Sequence, residues 1–362
     1  MLSARPSILT LPSYHPPLEG RSGLRLDFNE NTIGCSPRVL ARLQQLTADD
    51  LARYPERGPV EALVADFIGV AASELLLTNG VDEAIHLLCQ AYLDPGDQAL
   101  IVVPTYSMYR IYMMAAGAHV NTVARAEEFR FPLEALLQSI TPQTRLIAIA
   151  NPNNPTGTVA PPEALLQVAR SAPAAALLVD EAYFEFYGQT VLPLCREIPN
   201  LFAARTFSKA YGMAGLRVGL LVGPEAQMRV VRRVSSPYNV NAAALACLPA
   251  ALADQDFIRQ YVNEVLETRA GVERALEESG IQFWPSHANF VLARVGTDAS
   301  ASASFVERMR RRGILVRDRS SDPGCEGCVR ITVGPRLQAE RLLAALQDAF
   351  TDVDVVQGAS RE

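Results

Sequence analysis

Residues 175–183 read Ala-Ala-Leu-Leu-Val-Asp-Glu-Ala-Tyr, and residues 201–209 read Leu-Phe-Ala-Ala-Arg-Thr-Phe-Ser-Lys. In each, a run of mostly apolar residues breaks off into polar ones. A half-exposed strand alternates apolar and polar positions, whereas a strand buried on both faces of a largely parallel sheet does not. The pattern recurs at Leu146–Ala150, followed by Asn151-Pro-Asn-Asn-Pro-Thr-Gly157, and at Ala99–Val103, followed by Pro104-Thr105-Tyr106. It recurs again at Leu75–Leu77, followed by Thr78-Asn79-Gly80-Val81-Asp82. Further strands are predicted at His119–Val123 and Val218–Val222. Helical spacing of apolar residues at Pro37–Leu46, Val60–Ile68, Val81–Tyr92 and Met108–Ala116 falls between and before them. Such alternation specifies an α/β fold, a mostly parallel sheet flanked by helices.

Beyond about Asn241 the pattern changes. A long helical stretch, Ala242–Glu278, precedes strands at Asn289–Arg294, Ile314–Arg317 and Val329–Val333, with helices near Ala303–Arg312 and Leu337–Phe350. This mixture predicts a smaller C-terminal α+β domain. The chain thus divides into an extended, proline-rich arm over 1–30, a large domain over 31–240 and a small domain over 241–362.

Composition removes several function classes. The 362 residues carry a net charge of −6, which argues against a nucleic-acid footprint. The basic run Arg308, Arg310, Arg311, Arg312 before Gly313 reads as a helix C-terminus, where cations meet the negative end of the dipole. No apolar stretch approaches the length of a membrane span, and the first residues lack the apolar core of a signal peptide. A cytoplasmic protein is expected. Of six cysteines only Cys325 and Cys328 are spaced C-x-x-C; without a second pair or a nearby histidine they make no metal site, and they read as reduced structural thiols. No metal is expected.

The 33 basic residues are 32 arginines and one lysine, Lys209. Arginine replaces lysine as a solvated charge, but only a lysine amine can lose its proton and attack a carbonyl. Lys209 stands five residues past the apolar strand Leu201–Ala204, and in open α/β sheets ligands gather at the carboxyl ends of strands. Gly80-Val81-Asp82 at a helix start is an anion site, to which Thr206, Ser208 and Arg217 can add donors. Asp180, at the end of its strand, needs a cation or several donors if buried. A helix cap or structural ion pair satisfies that need, and so does a protonated pyridine nitrogen.

Taken together, Asn151–Gly157, Asp180-Glu-Ala-Tyr183, Arg205-Thr-Phe-Ser-Lys209 and Ala214-Gly-Leu-Arg217 resemble the fold-type I aminotransferases in order and spacing, over about Leu26 to Phe350. Leu26-Asp-Phe-Asn-Glu-Asn31, Arg53-Tyr-Pro55, Pro104-Thr-Tyr-Ser-Met-Tyr109 and Cys328-Val-Arg-Ile-Thr-Val-Gly334 are similar to motifs of the histidinol-phosphate aminotransferase subgroup. The resemblance implies the aminotransferase fold type I and transamination of L-histidinol phosphate with 2-oxoglutarate, using pyridoxal 5′-phosphate. It implies that Lys209 holds the cofactor as an imine and shuttles a proton, while Asp180 keeps the ring nitrogen protonated. Asn154 and Tyr183 would bond the ring hydroxyl, and Tyr106 would stack on the ring. Backbone amides at Gly80, Val81 and Asp82, with Thr206, Ser208 and Arg217, would hold the cofactor phosphate. Tyr54 would reach that phosphate from a neighbouring subunit of a homodimer. Arg330, Arg317 and Tyr14 would bind the substrate's anionic end.

Aromatic amino-acid aminotransferases and threonine-phosphate decarboxylase share the lysine and aspartate, so the amino donor stays open on these residues. Ile33-Gly-Cys35 departs from the Tyr-Gly-Pro of many relatives, at the arm's substrate contacts. An effector-binding regulator built on the same fold would carry a basic DNA-binding domain ahead of Leu26, where only some 25 residues stand.

Overall fold

The computed structural model describes residues 2–11 and 20–358. Seven strands form the larger sheet: β1 (Leu75–Thr78), β2 (Gln98–Val103), β3 (His119–Ala124), β4 (Thr144–Ala150), β5 (Ala176–Asp180), β6 (Leu201–Thr206) and β7 (Gly219–Val222). Their spatial order is β1-β7-β6-β5-β4-β2-β3. Strands β2 to β6 run parallel, and β7 is antiparallel to both its neighbours. Every residue of β1, β5, β6 and β7 is buried. Successive side chains leave a strand on opposite faces, so the sheet feeds two cores. Leu77, Leu100, Ile147, Leu177 and Ala203 pack into one; Leu76, Ile101, Ala148, Leu178 and Phe202 pack into the other. The edge strand β3 buries only Val123.

A second sheet of four strands, β8 (Gln282–Trp284), β9 (Phe290–Arg294), β10 (Arg317–Asp318) and β11 (Cys328–Thr332), is antiparallel throughout, in the order β10-β11-β9-β8. Phe305 and Met309, of the helix Ala299–Arg311, pack with Val291, Ile331 and Leu342 into its own core.

Three expectations need correction. The helical stretch Ala242–Glu278 is two helices, Ala242–Leu252 and Gln255–Glu278, separated at Ala253 and Asp254. Asp254 leaves helical geometry, and its carboxylate accepts from Ser36, the residue capping the helix Pro37–Gln44. From these helices Leu245, Leu248, Ile258, Tyr261 and Val265 lie in the larger sheet's core. Ile314–Arg317 is likewise not one strand. Ile314 and Leu315 pair in parallel with Leu24 and Arg25 of the arm, while Arg317 and Asp318 join the second sheet. The arm is therefore not simply extended. It contains this strand and, earlier, a helical turn over Pro6–Leu9, begun by a proline whose fixed φ suits a first helical position. The helices Pro162–Ser171 and Glu225–Val234 and the short β8 add to the predicted elements.

Phe305 is fully buried and stacks on Phe350 with ring centroids 5.4 Å apart. Phe305→Ala is expected to cost about 3–5 kcal/mol, read as a lower urea midpoint with the slope unchanged.

Candidate active site

The carboxyl ends of β1, β2, β4, β5 and β6 open into one cleft. Its lining includes Val81, Asp82, Tyr106, Asn154, Asp180, Tyr183, Thr206, Ser208, Lys209 and Arg217. Ten of the residues singled out in the sequence therefore meet in one place. A roomier cavity of about 390 Å³ around Phe184 and Tyr211 contains neither Lys209 nor Asp180.

The anion end of the cleft is built around Gly80. Its φ of +74° is one that L side chains avoid, and a Cβ there would lie 2.6 Å from Arg217 Nη2. The glycine thus lets the guanidinium lie against the start of the helix Gly80–Tyr92, where free amides and the positive dipole end favour an anion. Arg217 is itself held at φ +53°, a left-handed conformation that is strained for a non-glycine residue. Its Nη2 donates to Asp82 Oδ2 at 3.0 Å, and Tyr106 Oη donates to Asp82 Oδ1 at 2.9 Å. Thr206 Oγ1 accepts from the Ser208 amide, while Ser208 Oγ is buried with no partner. An orphaned hydroxyl beside a guanidinium and a helix start is a donor set that fits a phosphate.

At the opposite end Asp180 is 6% exposed. Burial pushes its carboxyl up to about 6, against the hydrogen bonds that favour its charged form. Those bonds are donated by Tyr109 Oη to Oδ2 at 2.5 Å and by the Ala182 amide to Oδ1 at 3.0 Å. A buried carboxylate with this environment fits a cationic ring nitrogen, whose charge would repay its desolvation. Tyr109, fully buried and edge-on to Tyr106 at 5.7 Å, was quoted within a sequence motif without a role.

Lys209 Nζ donates to Phe28 O at 3.1 Å. Burial, helped by the positive charges of Arg330 and Arg217, lowers its ammonium to about 8. The neutral amine, the form able to attack carbon or take a proton, is thus within reach at moderate pH. Burial also holds the Tyr183 phenol above its ordinary range, so it remains a donor; its oxygen accepts from Asn29 Nδ2 at 2.9 Å.

The second sheet closes the cleft. Arg330 on β11 is 5% exposed, donates through Nη1 to Asn154 Oδ1 at 2.5 Å and through Nη2 to Asp27 O at 2.6 Å. Arg317 lies directly opposite it in the β10–β11 ladder, its guanidinium 5.5 Å from the Phe28 ring. Tyr54 does not reach this cleft within the chain. It is 77% exposed and stacks on Tyr238 at 4.2 Å. Tyr14 lies outside the described residues. Asn29 is a member that sequence reasoning missed: besides Tyr183 it bonds Thr332 and Asn289, tying the arm to the second sheet.

The family model for aminotransferase class I and II matches residues 21–347. The histidinol-phosphate aminotransferase of Geobacillus sp. (strain WCH70) is 38% identical over 343 residues, which cover 92% of each chain. That of Roseobacter denitrificans is 38% identical over 354 residues, covering 95% of this chain and 98% of its own. The crystal structure of histidinol-phosphate aminotransferase from Sinorhizobium meliloti in complex with pyridoxal-5′-phosphate matches with a TM-score of 0.88 at 27% identity, covering 96% of this chain and 97% of that one.

The buried lysine gives a signed pH dependence. Its ammonium titrates near 8 when folded and near 10.5 when unfolded, so between these values the unfolded chain holds a proton that the folded chain lacks. Stability from this group therefore rises with pH across that window and is lowest below it. Cofactor-free Lys209→Met is expected to melt above the cofactor-free wild type at pH 7, the gap narrowing from pH 8 to 10.5. Identical melting at pH 7 would contradict the burial described.

Proposed function

The chain belongs to the class I and II aminotransferases, and from that premise we propose that it moves the amino group of L-histidinol phosphate to 2-oxoglutarate with pyridoxal 5′-phosphate as cofactor. The observation that carries the donor assignment is the facing pair Arg317 and Arg330. Like charges directly opposite in a sheet are unfavourable, and these two add cationic groups beyond those at the Ser208 end, as a phosphate-bearing amine requires. Relatives of that activity at 38% identity over almost the whole chain support the same reading.

When bound, the cofactor supplies the carbonyl carbon that carries the amino group and an electron sink for the substrate's Cα. Each remaining task falls to the chain. The amides at Gly80, Val81 and Asp82, with Thr206, Ser208 and Arg217, would hold the cofactor phosphate. Asp180 faces the ring nitrogen and keeps its proton there. Asn154, its Oδ1 already occupied by Arg330, turns its amide N–H toward the ring hydroxyl, and Tyr183 donates to the same oxygen. Tyr106 lies against the ring. Lys209 Nζ takes the proton from Cα and returns it on the far side of the transfer, and Arg330 and Arg317 hold the substrate's anionic end.

We read the working form as a cytoplasmic homodimer. The exposed Tyr54 stacked on Tyr238 supports a contact with a second subunit. No helix among the described residues is long and apolar enough to cross a membrane.

Histidinol phosphate should convert the cofactor's absorbance to that of its amine form quickly, and phenylalanine slowly. Carbon dioxide release from threonine phosphate would overturn the reading. Borohydride reduction of the holoenzyme should fix the cofactor's mass on the peptide containing Lys209. Lys209→Ala should lose that label, and turnover should fall by at least the 10²–10⁴-fold typical of a proton-shuttling base.

Tyr109→Phe removes a hydrogen bond to a charged acceptor, an interaction of about 1.5–3 kcal/mol. Asp180 then favours its protonated form further, and the expected result is roughly ten- to hundredfold weaker cofactor binding by titration. Unchanged affinity would show that the Tyr109 bond does not tune Asp180.

A further inference from the structure

The β10–β11 ladder continues one residue past Asp318. The Arg319 amide donates to Cys328 O at 3.0 Å, opposite the place where Arg317 faces Arg330 two residues along each chain. Side chains two residues apart on a strand share a face, so Arg317, Arg319 and Arg330 lie on the side of the sheet that meets Asn154. The proximity is felt electrostatically: burial first, and then Arg319 as the leading charged group, lower Arg330 to about 10, and Arg319 also acts on Tyr183.

Asp322 is the acid these arginines share. It forms an ion pair with Arg319 across a tight turn in which the Asp322 amide donates to Arg319 O at 2.9 Å. Arg319, Arg330 and Arg317 all favour its charged form against burial. Three guanidiniums and one carboxylate leave two positive charges. Two of the guanidiniums also carry spare donors, since Nε of Arg319 and Nε of Arg330 are both buried with no partner. Buried donors of this kind need a partner, and a bound anion is one that fits both.

We propose that Arg319, balanced by Asp322, is the residue that sets preference for a doubly charged phosphate over a singly charged carboxylate at the substrate's anionic end. The inference rests on the amino-donor reading above and deepens it. Arg319 is ion-paired with Asp322, so Arg330 and Arg317 supply the two positive charges that match the nearly two negative charges of a phosphate monoester near neutral pH. What Arg319 adds is its unpartnered Nε donor for a third phosphate oxygen; a carboxylate has two oxygens, and Arg330 and Arg317 suffice to hold it. Arginine suits the task because its planar fork meets tetrahedral oxygens with paired donors.

The test uses the cofactor-loaded enzyme, in which the cofactor's own phosphate fills the Ser208 end. In Arg319→Gln the KM for histidinol phosphate is expected to rise about ten- to hundredfold, while kcat and the KM for 2-oxoglutarate stay within about twofold. Arg319→Lys, which keeps the charge but loses the fork, should restore part of the loss. A structural role would raise both KM values and lower the melting temperature; equal effects on the two substrates overturn the proposal. Inorganic phosphate binding by calorimetry gives an arm independent of turnover. If the wild type binds phosphate and Arg319→Gln binds it at least tenfold more weakly, the assignment stands even where histidinol phosphate is not turned over. Equal binding by the two proteins overturns it.

Discussion

Arg330 carries a full positive charge into a setting where the residue is only 5% exposed, and three separate parts of the chain are arranged to receive it. Its donors go to Asn154, in the loop after β4, and to the Asp27 carbonyl of the arm, while its guanidinium lies 5.4 Å from the face of Phe290 on β9. A buried cation with incomplete partners is costly by several kcal/mol, so the positions of arm, larger sheet and second sheet are mutually constrained. Asn29 repeats the constraint with neutral groups, bonding Tyr183 on one side and Thr332 and Asn289 on the other. The cleft is a consequence of satisfying these groups.

Within that frame the titrating groups are set by opposite effects of the same burial. Desolvation penalises charge of either sign: it lowers the Lys209 ammonium to about 8 and raises the Asp180 carboxyl to about 6. Each is thereby brought nearer neutral pH, the lysine toward its nucleophilic form and the aspartate toward dependence on a cationic partner. Arg330, on the second sheet, and Arg217 bias the lysine further without a hydrogen bond to it, because charge acts over distances that hydrogen bonds do not.

Much of this arrangement was legible along the chain. Runs apolar at every position marked strands buried on both faces, and the polar residues at their ends marked the cleft; a single lysine among 33 basic residues singled out its reactive amine. What escaped was set by tertiary proximity. Tyr109 sits in a helix where its apolar neighbours make it read as core, and its role comes from a carboxylate 71 residues away. Arg319 is one arginine among 32 until the ladder places it beside Arg317 and Arg330. The break at Asp254 escaped as well, and the Ser36 hydroxyl that its carboxylate receives lies 218 residues earlier.

The parallel pairing of Leu24–Arg25 with Ile314–Leu315 bears on how the molecule comes into being. It joins residues about 290 positions apart, and the Asn29 bonds to Thr332 span 303. Contacts of such sequence separation are the slowest to form, and chains acquire structure from their N-terminal side during synthesis. The larger sheet can assemble while the ribosome still holds the last hundred residues. The Phe28 carbonyl that receives the Lys209 amine is carried by a segment whose docking strand has not yet been made. A chain that ends before Ile314 holds Lys209 but lacks the strand that docks the arm beside it.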